Sequence, residues 1–320
     1  MTLYHIKFYN LRKIPIDGML FHYTEKGEER MTYCSSMYRS LERVIVKHPK
    51  DAFISQEHVS NEWKKFNYIE EPNFDEALKE YQDFISILEQ HVPHIDYLPF
   101  SSAAGLDSLY AHDPVKLTSE GAIILKSGKA LRQPEANVYR QFLKEKDIPI
   151  IGELTGEAVA DGGDLVWLDE RTLAVGLGYR TNEEAVRQLK ELTARFVDEL
   201  IVVPLPHDQG EEECLHLMSF ISMVDHNLAV VHSRLMPVFF RQLLIKRGIQ
   251  LIEVPDDEYT SLGCNVLALA PRVCVIVSGN DGTKQQLLDA GAVVYEYKGH
   301  EISFKGTGGP TCLTCPVVRS

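Results

Sequence analysis

No stretch of this 320-residue chain comes near the roughly 20 consecutive apolar residues that a membrane-spanning helix requires. The opening MTLYHIKFYNLRK likewise lacks an apolar run of signal-peptide length. Basic residues are outnumbered, 33 Lys and Arg against 46 Asp and Glu. The formal charge of -13 argues against nucleic acid as a partner, since phosphate binding calls for basic patches. An acidic chain suits a cationic substrate, and it equally suits a surface that is merely well solvated. Cysteine is scarce as well: the six residues Cys34, Cys214, Cys264, Cys274, Cys312 and Cys315 are too few and too irregularly spaced for a disulfide scaffold. These absences predict a soluble, cytoplasmic protein of a reducing compartment, with no membrane partner.

What the sequence does have is repetition. Short β-branched runs begin at Arg43 (RVIVKHP), Gly121 (GAIILKSG), Thr172 (TLAVGLGYR), Leu228 (LAVVHSR) and Val273 (VCVIVSGN). A helical pattern follows each, with apolar residues three and four apart, as in FDEALKEYQDFISILEQ and NEEAVRQLKELTARF. Asn182 stands at an N-cap position, and Gly248 and Gly291 stand where helices stop. A second strand comes next: IDYLPF, IPIIGEL, ELIVVPL, IQLIEVP and AVVYEYK. Each unit then ends in a short polar or cysteine-bearing segment: LDSLYAHDP, ADGGD, LHLMS, GCN and GGPTC. Units arranged about an axis would bring these five segments together, whereas an ordinary α/β sheet would not; periodicity alone leaves both open. Residues 1–36 stand outside the pattern, YHIKFYN alternating like a strand and EKGEER reading as a solvated loop. The organisation expected is an N-terminal extension over 1–36 and one domain over 37–320.

Cys312 and Cys315 form a CxxC, which is compatible with half a zinc site, a redox pair or one reactive thiol. A structural zinc site commonly takes two such pairs, and there is no second one, which leaves a mixed Cys/His site. A thioredoxin-like pair opens a helix, and Pro316-Val317-Val318 does not read as one. A nucleophilic cysteine needs a base, and His216 in LHLMS is the best candidate because its segment fills the same slot as GGPTC. A lone His between apolar neighbours is also a common core residue. Asp107, His112, Asp113, Asp161 and Asp164 occupy that slot in other units, and carboxylates converging beside Cys and His would suit a guanidinium.

LDSLYAHDP, DGGDLVWL, GLGYRTN, LHLMSFISMVD, VPDDE followed by GCNVLAL, and GGPTCLTCP, taken in this order, resemble the guanidino-group modifying enzymes. This is the pentein superfamily of arginine deiminases, amidinotransferases and dimethylarginine dimethylaminohydrolases, and the last of these are the most similar. The resemblance runs from about Ser36 to the C-terminus. It implies a five-bladed α/β propeller of ββαβ units around a polar channel, a hydrolase releasing an amine and a ureido product such as citrulline from arginine or an Nω-substituted arginine, and no metal or organic cofactor. By the same resemblance Cys312 is the nucleophile and Cys315 a bystander, His216 the general acid/base and Asp161 its orienting carboxylate. Asp113 grips the guanidinium, Asp107 faces the substrate amine, and Arg180 and Arg132 bind the substrate carboxylate. The sequence departs from the pattern at three places. Met218 stands where arginine deiminases carry an Asp; His112 replaces an acidic residue, which leaves a substrate contact or a surface-loop role; and Gln133 stands where a carboxylate-clamping arginine is found. Asn265 reads as satisfying backbone groups at a turn. An amidinotransferase and a non-catalytic propeller are the alternative readings. A homo-oligomer is compatible with the sequence, the N-terminal extension being one place for a partner subunit to dock.

Overall fold

The computed structural model describes residues 21–23, 29–31 and 33–320. The strand expected over YHIKFYN, and most of the N-terminal extension, lie outside the described residues. Phe21–Tyr23 and Glu29–Met31 form an antiparallel pair, so the end of EKGEER, expected as loop, is strand. Tyr33 and Cys34 are buried beside Cys315 and Val317, and the Cys34 amide donates to the Val317 carbonyl at 2.9 Å.

The five β-branched runs become the central strands of five three-stranded sheets: Leu41–Lys47, Gly121–Ile124, Thr172–Leu177, Leu228–Val231 and Val273–Val277. Each runs into a helix and returns as a parallel neighbour, as in Thr172–Leu177, Glu183–Thr193 and Glu199–Pro204. The helix boundaries follow local chemistry. The Asn182 side chain accepts from the Ala185 amide at 2.9 Å. Gly248 and Gly291 take φ of +76° and +81°, a left-handed turn that costs glycine little.

The third strand of every sheet is antiparallel and is supplied from beyond the unit's helix–strand pair. Val115–Thr118, Leu165–Asp169, Ile221–Asp225 and Leu267–Ala270 precede their central strands. For the first sheet the strand is Thr314–Arg319, which pairs with Leu41–Lys47 from the far end of the chain. Hence the chain's last strand completes its first sheet.

Central strands are covered on both faces, which is why they read as continuous apolar runs rather than alternating ones. Val44 and Val46 pack with Phe84 and Leu88 of the helix Phe74–His91, while Ile45 clusters with Val317 of its own sheet and with Val115 and Ile124 of the next unit. The apolar clusters therefore lie between successive sheets as well as under the helices. Among the described residues no helix is long and apolar enough to cross a membrane.

Candidate active site

Each antiparallel strand begins opposite the end of its central strand: Val115 pairs with Ile124, Leu165 with Val175, Ile221 with Val231, Leu267 with Val275 and Thr314 with Val46. The segments leading into those strands carry Asp107 and Asp113, Asp161, His216, Asn265 and Cys312. Segments hundreds of residues apart thus reach equivalent ends of parallel strands, the usual place for a ligand in α/β proteins. One cavity of about 530 Å³ is lined by Asp107, Asp113, Arg132, Arg180, His216, Asn265 and Cys312.

His216 is 6% exposed, and its backbone is fixed by an amide bond to Ser219 Oγ at 3.0 Å. Its Nε2 lies 3.2 Å from Asp161 Oδ2 and its Nδ1 3.9 Å from Cys214 Sγ. Burial opposes charge on the ring, yet Cys214, Asp164 and Asp161 hold its pKa well above the ordinary histidine value. Asp161, fully buried, accepts from Arg180 Nε at 2.9 Å and from the Gly128 amide at 3.2 Å. Burial would raise its pKa, but the His216 bond and Arg180 keep it below the usual carboxylate range. Asp164 is held by Thr181 Oγ1 at 2.6 Å and the Leu217 amide at 2.9 Å, and burial pushes it up to about 6. The paired glycines of DGGD are steric requirements: a Cβ on Gly163 would stand 2.5 Å from His216 Nδ1.

Asp113 receives Arg132 Nη1 on Oδ2 at 2.5 Å and the Gly163 amide on Oδ1 at 3.0 Å. Burial would raise its pKa, but Arg132 and His216 keep it ionised. Arg132 is fully committed: Nε and Nη2 reach Glu135 at 3.0 and 2.9 Å, and Nη2 also reaches the Tyr110 carbonyl at 2.8 Å. Its expected grip on a substrate carboxylate therefore competes with three partners already present, and in this geometry Arg132 orients Asp113. Arg132→Leu strands Glu135, 2% exposed, and Asp113, 5% exposed, without their cation. The expected loss of stability is about 3–5 kcal/mol, because an unpaired buried charge is costly; urea unfolding of both proteins reads it.

Cys312 Sγ accepts from Asn265 Nδ2 at 3.2 Å, while Asn265 Oδ1 takes the Thr311 amide at 3.0 Å. Asn265 thus does satisfy a backbone group, and it also holds the sulfur, a role the sequence reading missed. Gly309 allows this contact, since a Cβ there would meet Asn265 at 2.5 Å. Burial, Asp113 and Cys214 push the Cys312 thiol up to about 12. This keeps it a thiol near neutral pH, and a cation held beside it would favour the thiolate.

Not every predicted site residue lines the cavity. Asp161 sits behind His216. His112, 4% exposed, is no surface-loop residue: its Nδ1 lies 2.9 Å from the Thr314 carbonyl, its amide donates to the Cys312 carbonyl at 3.2 Å, and burial lowers its pKa to about 4. Asp107 is engaged by Lys129 Nζ at 2.6 Å. Lys129 lines the cavity too, and nothing in KSGKALR marks it. Met218 also lines the cavity, and Gln133 is turned to the Ser127 carbonyl at 3.2 Å. Among the described residues no group of three or more His, Cys, Asp or Glu is arranged to hold a metal ion, so the mixed Cys/His zinc reading gains no support. Cys315, 2% exposed, lies within the strand Thr314–Arg319.

The chain is similar in sequence and in fold to several known proteins. An uncharacterized protein of Bacillus subtilis, YkgA, is 27% identical over 91% of this chain and 96% of its own length. Arginine deiminase of Limosilactobacillus fermentum is 24% identical over 69% of this chain and 63% of its own length, so the chain spans less than two thirds of that enzyme. Among solved structures, DDAH from Pseudomonas aeruginosa complexed with citrulline superposes with a TM-score of 0.69 at 20% identity, covering 86% of this chain and 99% of that one. The N-terminal domain of ArgZ, a cyanobacterial arginine dihydrolase, superposes with a TM-score of 0.74 at 17% identity, covering 88% and 98%. The arginine deiminase family model matches residues 106–239 and 237–319. These stretches run through all the site segments and take in more than half of the chain, which belongs to the arginine deiminase family.

Proposed function

We propose that this protein is a cysteine-dependent hydrolase of the guanidino group of arginine or an Nω-substituted arginine, working without metal or organic cofactor. The observation that carries the reading is that Cys312, His216 and Asp113 face one cavity, with an ionised carboxylate, a charged imidazole and a shielded thiol. The five sheets read as blades of a propeller about this cavity. Support comes from the closing of the first sheet by the last strand and from the packing of Leu267–Ala270 against both Ile221–Asp225 and Leu41–Lys47.

A guanidinium is a poor electrophile because its charge is delocalised. Carboxylate oxygens of Asp113 would accept its N–H groups and hold its carbon within reach of Cys312 Sγ. The bound cation favours the thiolate, the Cys312 proton passing to solvent, and Asn265 Nδ2 steadies the sulfur. Attack forms the S–C bond; the C–N bond then breaks as His216 gives its proton to the departing amine, leaving a thiouronium. Water, deprotonated by the now neutral His216, attacks the same carbon, the C–S bond breaks and a ureido product leaves. Asp161, held by Arg180, keeps the imidazole in place, and Arg180, which also lines the cavity, would meet a substrate carboxylate with its Nη atoms. Met218 puts an apolar, uncharged side chain on the wall, which favours tolerance of a methylated nitrogen.

A panel of arginine, Nω-methylated arginines and shorter guanidino compounds tests this with wild type and Cys312→Ser in parallel. Ureido product from wild type alone supports the reading. Amidination of an added amine without ureido product makes the protein an amidinotransferase, and no reaction with any of them, together with no protection of Cys312 from alkylation, makes it a binding protein.

A further inference from the structure

The thiol within hydrogen-bond distance of His216 is that of Cys214, not that of Cys312. Both ring nitrogens of His216 are taken up elsewhere, Nε2 by Asp161 and Nδ1 by Cys214 Sγ at 3.9 Å. Cys214 and His216 are two residues apart, and His216 has extended backbone (φ -114°, ψ 168°), which places alternate side chains on one side. Cys214 also lines the cavity, and of the six cysteines it alone is exposed; Cys312 is half-buried and the other four are buried.

We propose that Cys214 is a second nucleophilic thiol, a modification site for hydrogen peroxide that works as a thiolate–imidazolium pair with His216. The sulfur attacks one peroxide oxygen and the O–O bond breaks. The hydroxide that leaves takes the imidazolium proton and departs as water. Sulfur is oxidised to a sulfenic acid, peroxide is reduced, and His216 is left neutral with an S–OH group beside Nδ1 in the cavity.

The surroundings favour this chemistry at Cys214 and not at its neighbour. Enclosure by the cavity wall opposes ionisation of Cys214, but His216 and Arg180 outweigh it and draw the thiol below its ordinary pKa. The other titratable groups near the pair are Asp113, which opposes the thiolate, Asp161 and Asp164 behind the ring, and Cys312, Glu213 and Tyr259 around the sulfur. Cys312 carries the opposite balance, with burial and Asp113 against ionisation. The inference needs no turnover and stands or falls apart from the hydrolase reading.

The test is treatment of the full chain with hydrogen peroxide in the presence of dimedone, followed by peptide mapping at a series of pH values. The first dimedone mass is expected on the peptide holding Cys214. At pH 7 its rate is expected to fall about tenfold in His216→Gln, since each unit of thiol pKa changes the thiolate fraction tenfold. In wild type the rate should reach half its plateau below the free-thiol value of about 8.5, which decides the matter should the variant not fold. Labelling first at Cys312 or at a buried cysteine, an unchanged rate in His216→Gln, or a midpoint at or above 8.5 would each overturn the assignment.

Discussion

Cys312→Ser is expected to lower kcat by roughly 10⁴-fold or more, the scale on which removal of a covalent nucleophile disables an enzyme. Serine keeps the size of the side chain and can still accept from Asn265 Nδ2, whose Oδ1 remains tied to the Thr311 amide. Its hydroxyl ionises far too weakly near neutral pH for attack on a delocalised cation. Asp113 and Arg180 are untouched, so binding of a guanidino ligand should survive. The pairing of these two outcomes is informative: calorimetric titration should give a Kd close to wild type while ureido product disappears. Retention of more than a hundredth of wild-type kcat would exclude Cys312 as nucleophile.

His216→Gln is expected to cost about 10²–10⁴ in kcat, the usual worth of positioned acid–base catalysis. The variant also removes the alkaline limb of the pH profile. Cys214, Asp164 and Asp161 hold the ring protonated well above the ordinary histidine pKa. Its acid role is therefore intact through neutral pH and fails only as pH rises through the raised value. Glutamine can still bond Asp161 but has no proton to lose, so kcat against pH should no longer fall on that side. A falling limb that persists unchanged in the variant belongs to another group, and the general-acid assignment would then be lost.

Much of this architecture is legible in the sequence because the central strands are covered on both faces and so announce themselves as apolar runs, each with an amphipathic helix behind it. The antiparallel strands are harder to read. LVWLD and LALA have no helix behind them to mark the unit, and the partner of Thr314–Arg319 lies at the opposite end of the chain, where only pairing reveals it. The candidate site follows the same division. Cys312 and Asp161 stand in motifs whose glycines are required by close approach, as Gly163 is by His216 and Gly309 by Asn265, while His216 and Asp113 stand in segments that fill the same slot of other units. Asn265 and Lys129 carry no such mark, since their contacts with Cys312 and Asp107 depend on how the units face one another. Arg132 and His112 were legible as residues near the site but not as buried ones. Three donors of Arg132 are spent on Asp113, Glu135 and a carbonyl, and no spacing rule counts hydrogen bonds in advance.

The most direct measurement is acid quenching of wild type during turnover of a guanidino substrate, followed by digestion and mass mapping of the covalent adduct. The account predicts a substrate-derived mass on the peptide carrying Cys312, absent from Cys312→Ser and lost on incubation with water before quenching. A substrate-derived mass on Cys214 instead, or ureido product formed with no adduct on any cysteine in a variant that accumulates substrate-bound enzyme, would contradict it.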